Sequence, residues 1–314
     1  MPKFSKDRIV LGDKRKKRTD YGFTRCAVAK RDRVYILSFL DALEEKGENV
    51  TKVLRWSGVW NHWIVDWAVG AICVLEHPEL QVLSMGLGGR IDLRAVSGRT
   101  EEEVDTGKDG PPYRGLLRDM RVIERQVYVT GMARQVYQRL GKGQWARFDQ
   151  GVLAERGKAK GIGFNSIHGF SRKAIYAVGW KGEIWRFDGR IWRPIASPTN
   201  LILERVVCVP PKTVYACGQA GVLLQGQGDE WRVIEHAATE DDFWGMEWFN
   251  GALWLATHDA IFKLVEKELE PVGMGTGDPL TCGWLDANDG VLWSVGPEDL
   301  AYFDGEKWSE VILT

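Results

Sequence analysis

The sequence contains no run of eighteen apolar residues, so no helix is expected to cross a membrane. Its first twenty residues, MPKFSKDRIVLGDKRKKRTD, hold no apolar core, so no secretory signal is expected. Cysteine is scarce: five residues, at Cys26, Cys73, Cys208, Cys217 and Cys282, with no CxxC pair among them. Three lie in apolar runs (RCAVA, AICVL, RVVCV), where cysteine acts as a small buried hydrophobe. This pattern argues against a disulfide framework or a zinc site, and free thiols suit a reducing cytoplasm. The histidines, His62, His77, His168, His236 and His258, lack metal-ligand spacing. No G-x-S-x-G elbow is present. The glycine-rich GMGTGD at Gly273–Asp278 is not followed by a helical pattern, which a phosphate cradle would need. No metal or organic cofactor is therefore expected, and the chain is not expected to be an enzyme.

What is present is a repeat. AIYAVGWKGEIWRFDGRIWRPI (Ala174–Ile195) is echoed by TVYACGQAGVLLQGQGDEWRVI (Thr213–Ile234), with Gly179 and Gly218, and Trp192 and Trp231, each 39 residues apart. ALWLATHDAIFKLVEKELEPV from Ala252 and VLWSVGPEDLAYFDGEKWSEV from Val291 continue the step through Thr257 and Gly296. Upstream copies are QVYVTGMARQVYQRLGKGQWARF, VLSMGLGGRIDLRAV from Val82, and VYILS from Val34, resumed at LRWSGVWNHWIV. Each copy reads as three strands, with a further apolar strand before it, such as RVVCV before VYACG. Four short strands per forty or so residues is the arithmetic of a propeller blade, and a regular step across four consecutive copies does not suit an unrelated β-sandwich. The expected fold is all-β: a seven-bladed β-propeller of four-stranded antiparallel blades over residues 23–314.

The recurring residues have physical roles in this scheme. Glycine at the turns is expected to supply positive φ. Tryptophan opening the outermost strand, at Trp60, Trp145, Trp192, Trp231 and Trp308, is expected to wedge between blades. With FDG turns at Phe187 and Phe303 followed by tryptophan, the repeats resemble the WD-repeat and YVTN-type propeller superfamily, especially its bacterial FDG-x-x-W members. No GH…WD pairing and no S-x-D-x-G-x-x-W box occurs. The resemblance implies a fold and no particular function.

Three segments interrupt the step: Ser38–Val50, with a short helix suggested by Leu40, Leu43 and EEK; Arg99–Gly115 between the second and third blades; and Phe148–Phe164 between the third and fourth. Propeller topology places all three on one face, where binding loops reside. Residues 1–22 form a basic N-terminal segment in which Arg8–Gly12 could supply a ring-closing strand, followed by the basic run Asp13–Arg18.

The net charge of −1 conceals a division. From Asp229 to Thr314 there are 19 Asp and Glu against four Lys and Arg, a formal −15, so residues 1–228 carry +14. The last blades should form an acidic sector that steers an oppositely charged partner. The expected partner-binding residues are Glu240, Asp241, Asp242, Trp244, His258, Asp259, Glu298 and Asp299, on turns of one face. They suit Lys and Arg of a basic protein and disfavour nucleic acid. One fitting partner is a toxin domain, which would make the chain a cytosolic immunity protein. An assembly or signalling scaffold, and an enzyme or lectin using the central channel, are the alternatives.

Overall fold

Among the described residues, 20–40, 46–47, 49–275 and 280–313, twenty-eight strands form seven separate four-stranded antiparallel sheets in this computed structural model. We number the blades in chain order: Tyr21–Val65, Val69–Glu103, Leu117–Arg147, Phe164–Ile195, Leu203–Val233, Gly245–Val272 and Trp284–Val311. The first strand of each blade touches the first strands of its two neighbours, and the seventh returns to the first, so these seven strands line a central channel. The fold expected from the repeat is the one observed.

Second strands are predominantly apolar because other blades cover both of their faces. IYAVG, ALWLA and VLWSV are buried along their whole length, which removes the polar alternation of a one-sided strand. Outermost strands keep polar residues because only one face is covered. The wedge tryptophans sit where the sequence places them. Trp192 of blade 4 packs with Tyr128, Phe148 and Phe164, and its indole N–H donates to the Phe148 carbonyl at 2.8 Å. Trp231, Trp145, Trp308 and Trp60 fill the corresponding junctions with the preceding blades.

The repeat glycines work differently from the sequence expectation. Gly179 and Gly218 have φ of −180° and −179°, extended values open to any residue. Their requirement is space: a Cβ on either would lie 2.0 Å from a carbonyl oxygen of the chain entering the same blade, Gly163 or Ile202. Positive φ falls on the next residues, at Lys181 and Gly182 (58° and 70°) and at Ala220 and Gly221 (50° and 67°). Two successive left-handed residues make the primed turn whose twist matches a hairpin.

Each blade is built from one continuous stretch of chain. Among the described residues, therefore, no strand is exchanged to close the ring. Closure rests on contacts between blades 7 and 1. The Val28 N–H donates to Asp286 at 2.7 Å, the Trp284 indole to the Cys26 carbonyl at 3.2 Å, and the Asn288 amide to the Ala29 carbonyl at 2.9 Å. The Arg8–Gly12 strand and the central part of the Ser38–Val50 helix lie outside the described residues.

The Arg99–Gly115 segment is shorter as a loop than expected. Gly98–Glu103 is the outermost strand of blade 2, because its alternating RTEEE pairs with Arg90–Ala95, and only the residues after it form the connection, with one helical turn at Pro111–Arg114. This connection and the one at 148–163 pack together. Asp109 accepts from Arg114 at 2.9 Å and Arg156 at 3.1 Å, and Arg114 also donates to the Ala154 carbonyl at 2.9 Å.

Candidate protein-binding rim

Turns between second and third strands, and the links between blades, emerge on the same face. Over blades 5 to 7 this face includes the link at 234–244, the turn at 257–260 and the turn at 296–299. These stretches carry Glu235, Glu240, Asp241, Asp242, Asp259, Glu298 and Asp299 and contain no Lys or Arg. Hydrogen bonds join them into one surface. The Phe243 N–H donates to the Gly218 carbonyl, Trp244 N–H to Ala256 and Cys282 N–H to His258, at 3.0, 2.9 and 2.7 Å.

Within this surface the expected residues divide. Glu240, Asp241, Asp259 and Glu298 are exposed. Asp241 accepts from the Thr239 hydroxyl at 3.0 Å, and Asp259 from the Thr257 hydroxyl at 3.1 Å, which orients both carboxylates without burying them. Asp242 is half-buried and accepts from the Ala220 N–H at 2.8 Å, holding the link onto blade 5. Asp299 turns inward: it is 6% exposed and accepts from the Thr281 N–H and hydroxyl at 2.7 and 2.9 Å. Its negative charge serves the loop more than the rim. Trp244 is 36% exposed, and its ring lies 5.4 Å from the His258 ring, so the indole stands as a supported apolar plate among carboxylates. Of the GMGTGD segment, Gly273–Gly275 follow the outermost strand of blade 6, and the rest lies outside the described residues.

The basic sector is less free than its charge suggests. On the link at 148–163, Lys158 pairs with Glu155 at 2.6 Å and Arg156 with Asp109. Arg134 makes a two-pronged bond to Glu183 at 2.7 and 2.8 Å. Among the described residues, no ion pair to Glu240, Asp241, Asp259 or Glu298 is formed, in contrast to the basic sector.

The channel contains a cluster that was not anticipated. Arg205, Arg25 and Arg121 converge on the Trp284 indole, with guanidinium carbons 4.0, 4.2 and 5.7 Å from the ring centre. Asp119, 1% exposed, lies 3.5 Å from Arg205 and 3.6 Å from Arg25 and accepts from the Ser166 hydroxyl at 3.0 Å. Burial pushes its carboxyl up, but Arg205, Arg121 and Arg25 together outweigh that and hold it below the usual carboxylate range. Arg121 also faces Asp286 at 3.3 Å and Glu247 at 3.8 Å. Burial raises Glu247 to about 7, with Asp286 adding to the rise and Arg121 opposing it. The signal for this cluster was available: LRDMRVI and LERVVCV are apolar inner strands interrupted by charge.

His168 sits at the same level, and its Nδ1 accepts from the Cys208 N–H at 3.1 Å. Burial, then Arg121 and Arg205, lower its pKa to about 3. In the unfolded chain a histidine titrates near 6.5, so below that pH the unfolded state binds a proton that the folded state refuses. The His168 contribution to stability should therefore fall as pH drops from about 6.5 toward 3, while Glu247, raised to about 7, contributes in the opposite sense over the upper part of that window. The His168 part is isolated by comparison with His168→Asn, which keeps an acceptor at the Nδ1 position: its denaturant midpoint relative to the parent should rise as pH falls from about 6.5.

Comparison with known proteins gives the lineage. No protein-family model matches the chain. Immune protein Tsi7 of Pseudomonas aeruginosa is 37% identical over 290 residues, covering 90% of this chain and 95% of that one. The chain belongs to the Tsi7 immune-protein family. Two solved structures share the fold. A catalytically inactive virginiamycin B lyase from Staphylococcus aureus, determined with quinupristin, is 11% identical with a TM-score of 0.71, covering 93% of this chain and 96% of that one. The WD40 propeller domain of Doa1 is 9% identical with a TM-score of 0.68, covering 92% and 93%. At such identities the likeness concerns architecture alone. A propeller in the Tsi7 family is an immunity protein, and the propeller offers a rigid, protein-sized binding face.

Proposed function

We propose that this immunity protein works in the cytoplasm without catalysis, by seating a basic protein toxin on the acidic rim of blades 5 to 7. The observation that carries the reading is a rim whose described stretches hold no Lys or Arg and expose the carboxylates of Glu235, Glu240, Asp241, Asp259 and Glu298 together with the Trp244 plate. A toxin surface rich in Lys and Arg would find complementary charge, and an aromatic or aliphatic side chain of the toxin would find the indole. The ring is stiffened by packing between every pair of neighbouring blades. The rim is therefore preorganised, and little ordering cost opposes association.

The experiment is capture of the partner from the native cell, followed by stopped-flow association and calorimetry over a salt series. The association rate should fall steeply as ionic strength rises, since exposed charges are screened beyond about 8–10 Å at physiological salt. A captured partner that is acidic, or an association rate indifferent to salt, would overturn the reading.

A further inference from the structure

The junction between blades 1 and 2 differs from those that hold a wedge tryptophan. In blade 5 the wedge Trp231 pairs with Gly226 one step in from the outer hairpin turn. The same step in blade 2 pairs Arg94 with Arg99, so the wedge position holds Arg99, which is drawn away to Asp92 and Glu101. Without an indole to fill it, the junction keeps a cleft of about 270 Å3.

Its walls are chemically one-sided. Arg33, Arg55 and Arg94 line it together with Tyr35, Trp63, Leu80 and Val82, and no carboxylate does. Tyr35 and Trp63 meet at 5.9 Å between ring centres, and Arg94 lies 5.5 Å above the Trp63 ring. Arg94 is held from behind by the buried Asp92 at 2.9 Å. Among the described residues no carboxylate pairs with Arg33 or Arg55. Among the described residues the Arg55 Nε and the Trp63 indole N–H are buried donors with no protein acceptor. Buried donors without partners are uncommon in proteins, because each carries a desolvation cost that a bound acceptor would relieve.

We infer that this cleft is a binding site for a small anion bearing an aromatic ring, of the size and chemistry of a nucleoside monophosphate. The phosphate would take the N–H groups of Arg55 and Arg33, since guanidinium forks match phosphate oxygens. The ring would lie along Trp63, with Leu80 and Val82 as the apolar wall. The site lies at the ends of the strands opposite the acidic rim and on different blades, so it stands or falls independently of toxin binding.

Titration of the full-length protein with adenosine 5′-monophosphate, followed by calorimetry and tryptophan fluorescence, tests the site. A dissociation constant on the order of 100 μM is expected for a ligand of this size. Adenosine alone and inorganic phosphate alone should each bind at least about tenfold more weakly, because each keeps half of the contacts. Arg55→Gln and Arg33→Gln should each weaken the nucleotide by about tenfold or more. Arg33 sits at the turn end of its strand, opposite Lys30, so its variant reports even if Arg55→Gln misfolds. Absence of binding at about 5 mM nucleotide, or affinity unchanged in both arginine variants, would overturn the proposal. Phosphate binding as well as the nucleotide, with Trp63→Leu without effect, would overturn its aromatic half.

Discussion

Replacing Trp192 with alanine is expected to lower stability by about 3–5 kcal/mol, the usual cost of deleting a buried large aromatic side chain. The indole is 4% exposed and lies within 6.3 Å, centre to centre, of Phe148, Phe164 and Phe187. These rings come from both sides of the junction between blades 3 and 4, so they cannot collapse into the space without moving a blade. The lost bond to the Phe148 carbonyl leaves that acceptor with no donor from the indole. Trp231→Ala should cost less than Trp192→Ala. Its indole is partly exposed, and its N–H reaches the Gly228 carbonyl only at 3.4 Å. Urea or guanidinium unfolding of the two variants side by side checks the order. Equal midpoints to the parent for Trp192→Ala would mean that the junctions do not depend on their wedges.

The largest effect on binding is expected from the rim. Reversing Glu240 and Asp241 to lysine should weaken the captured toxin by roughly 30- to 100-fold, about 2–3 kcal/mol. Both are exposed, and neither holds the backbone of a neighbouring blade, so the fold should be unaffected. Asp242 is a poorer choice for reversal, because its bond to the Ala220 N–H ties the link to blade 5. Trp244→Ala should cost a further 2 kcal/mol or so if the indole is an anchor, and it should act on the dissociation rate where the charge reversals act mainly on association. Calorimetry and stopped-flow measurements with the purified partner separate the two effects. Reversal of Lys14 and Lys16 in the N-terminal basic run should leave affinity almost unchanged. The opposite order of effects would place the binding face elsewhere on the ring.

How far the molecule could be read from its sequence follows from how its chain is laid out. Because every blade is one contiguous segment, features repeating along the chain repeat around the ring. The 39-residue step, the predominantly apolar second strands and the tryptophans opening outer strands are signatures of single blades, and each is in place. The acidic sector was legible for the same reason: neighbours in sequence are neighbours in space, so a local excess of Asp and Glu becomes a local field.

Other properties arise where distant segments meet, and no local pattern reports them. The channel cluster draws Arg25, Asp119, Arg205 and Trp284 from blades 1, 3, 5 and 7, and only ring closure brings their side chains within 4.2 Å of a partner. Whether Asp299 faces solvent or Thr281 depends on how the link before blade 7 folds back, which charge counting does not see. At Gly179 and Gly218 the residue type was evident but the reason was not, because the crowding carbonyl belongs to the chain entering the blade from the previous one. Composition and periodicity, acting over forty residues at a time, thus determined the blade, its number of copies and the sign of each sector. The tertiary structure decided which charges are buried, which carboxylates reach the rim and which junction stays open, because those depend on Coulomb and packing distances of a few ångströms between segments far apart in the chain.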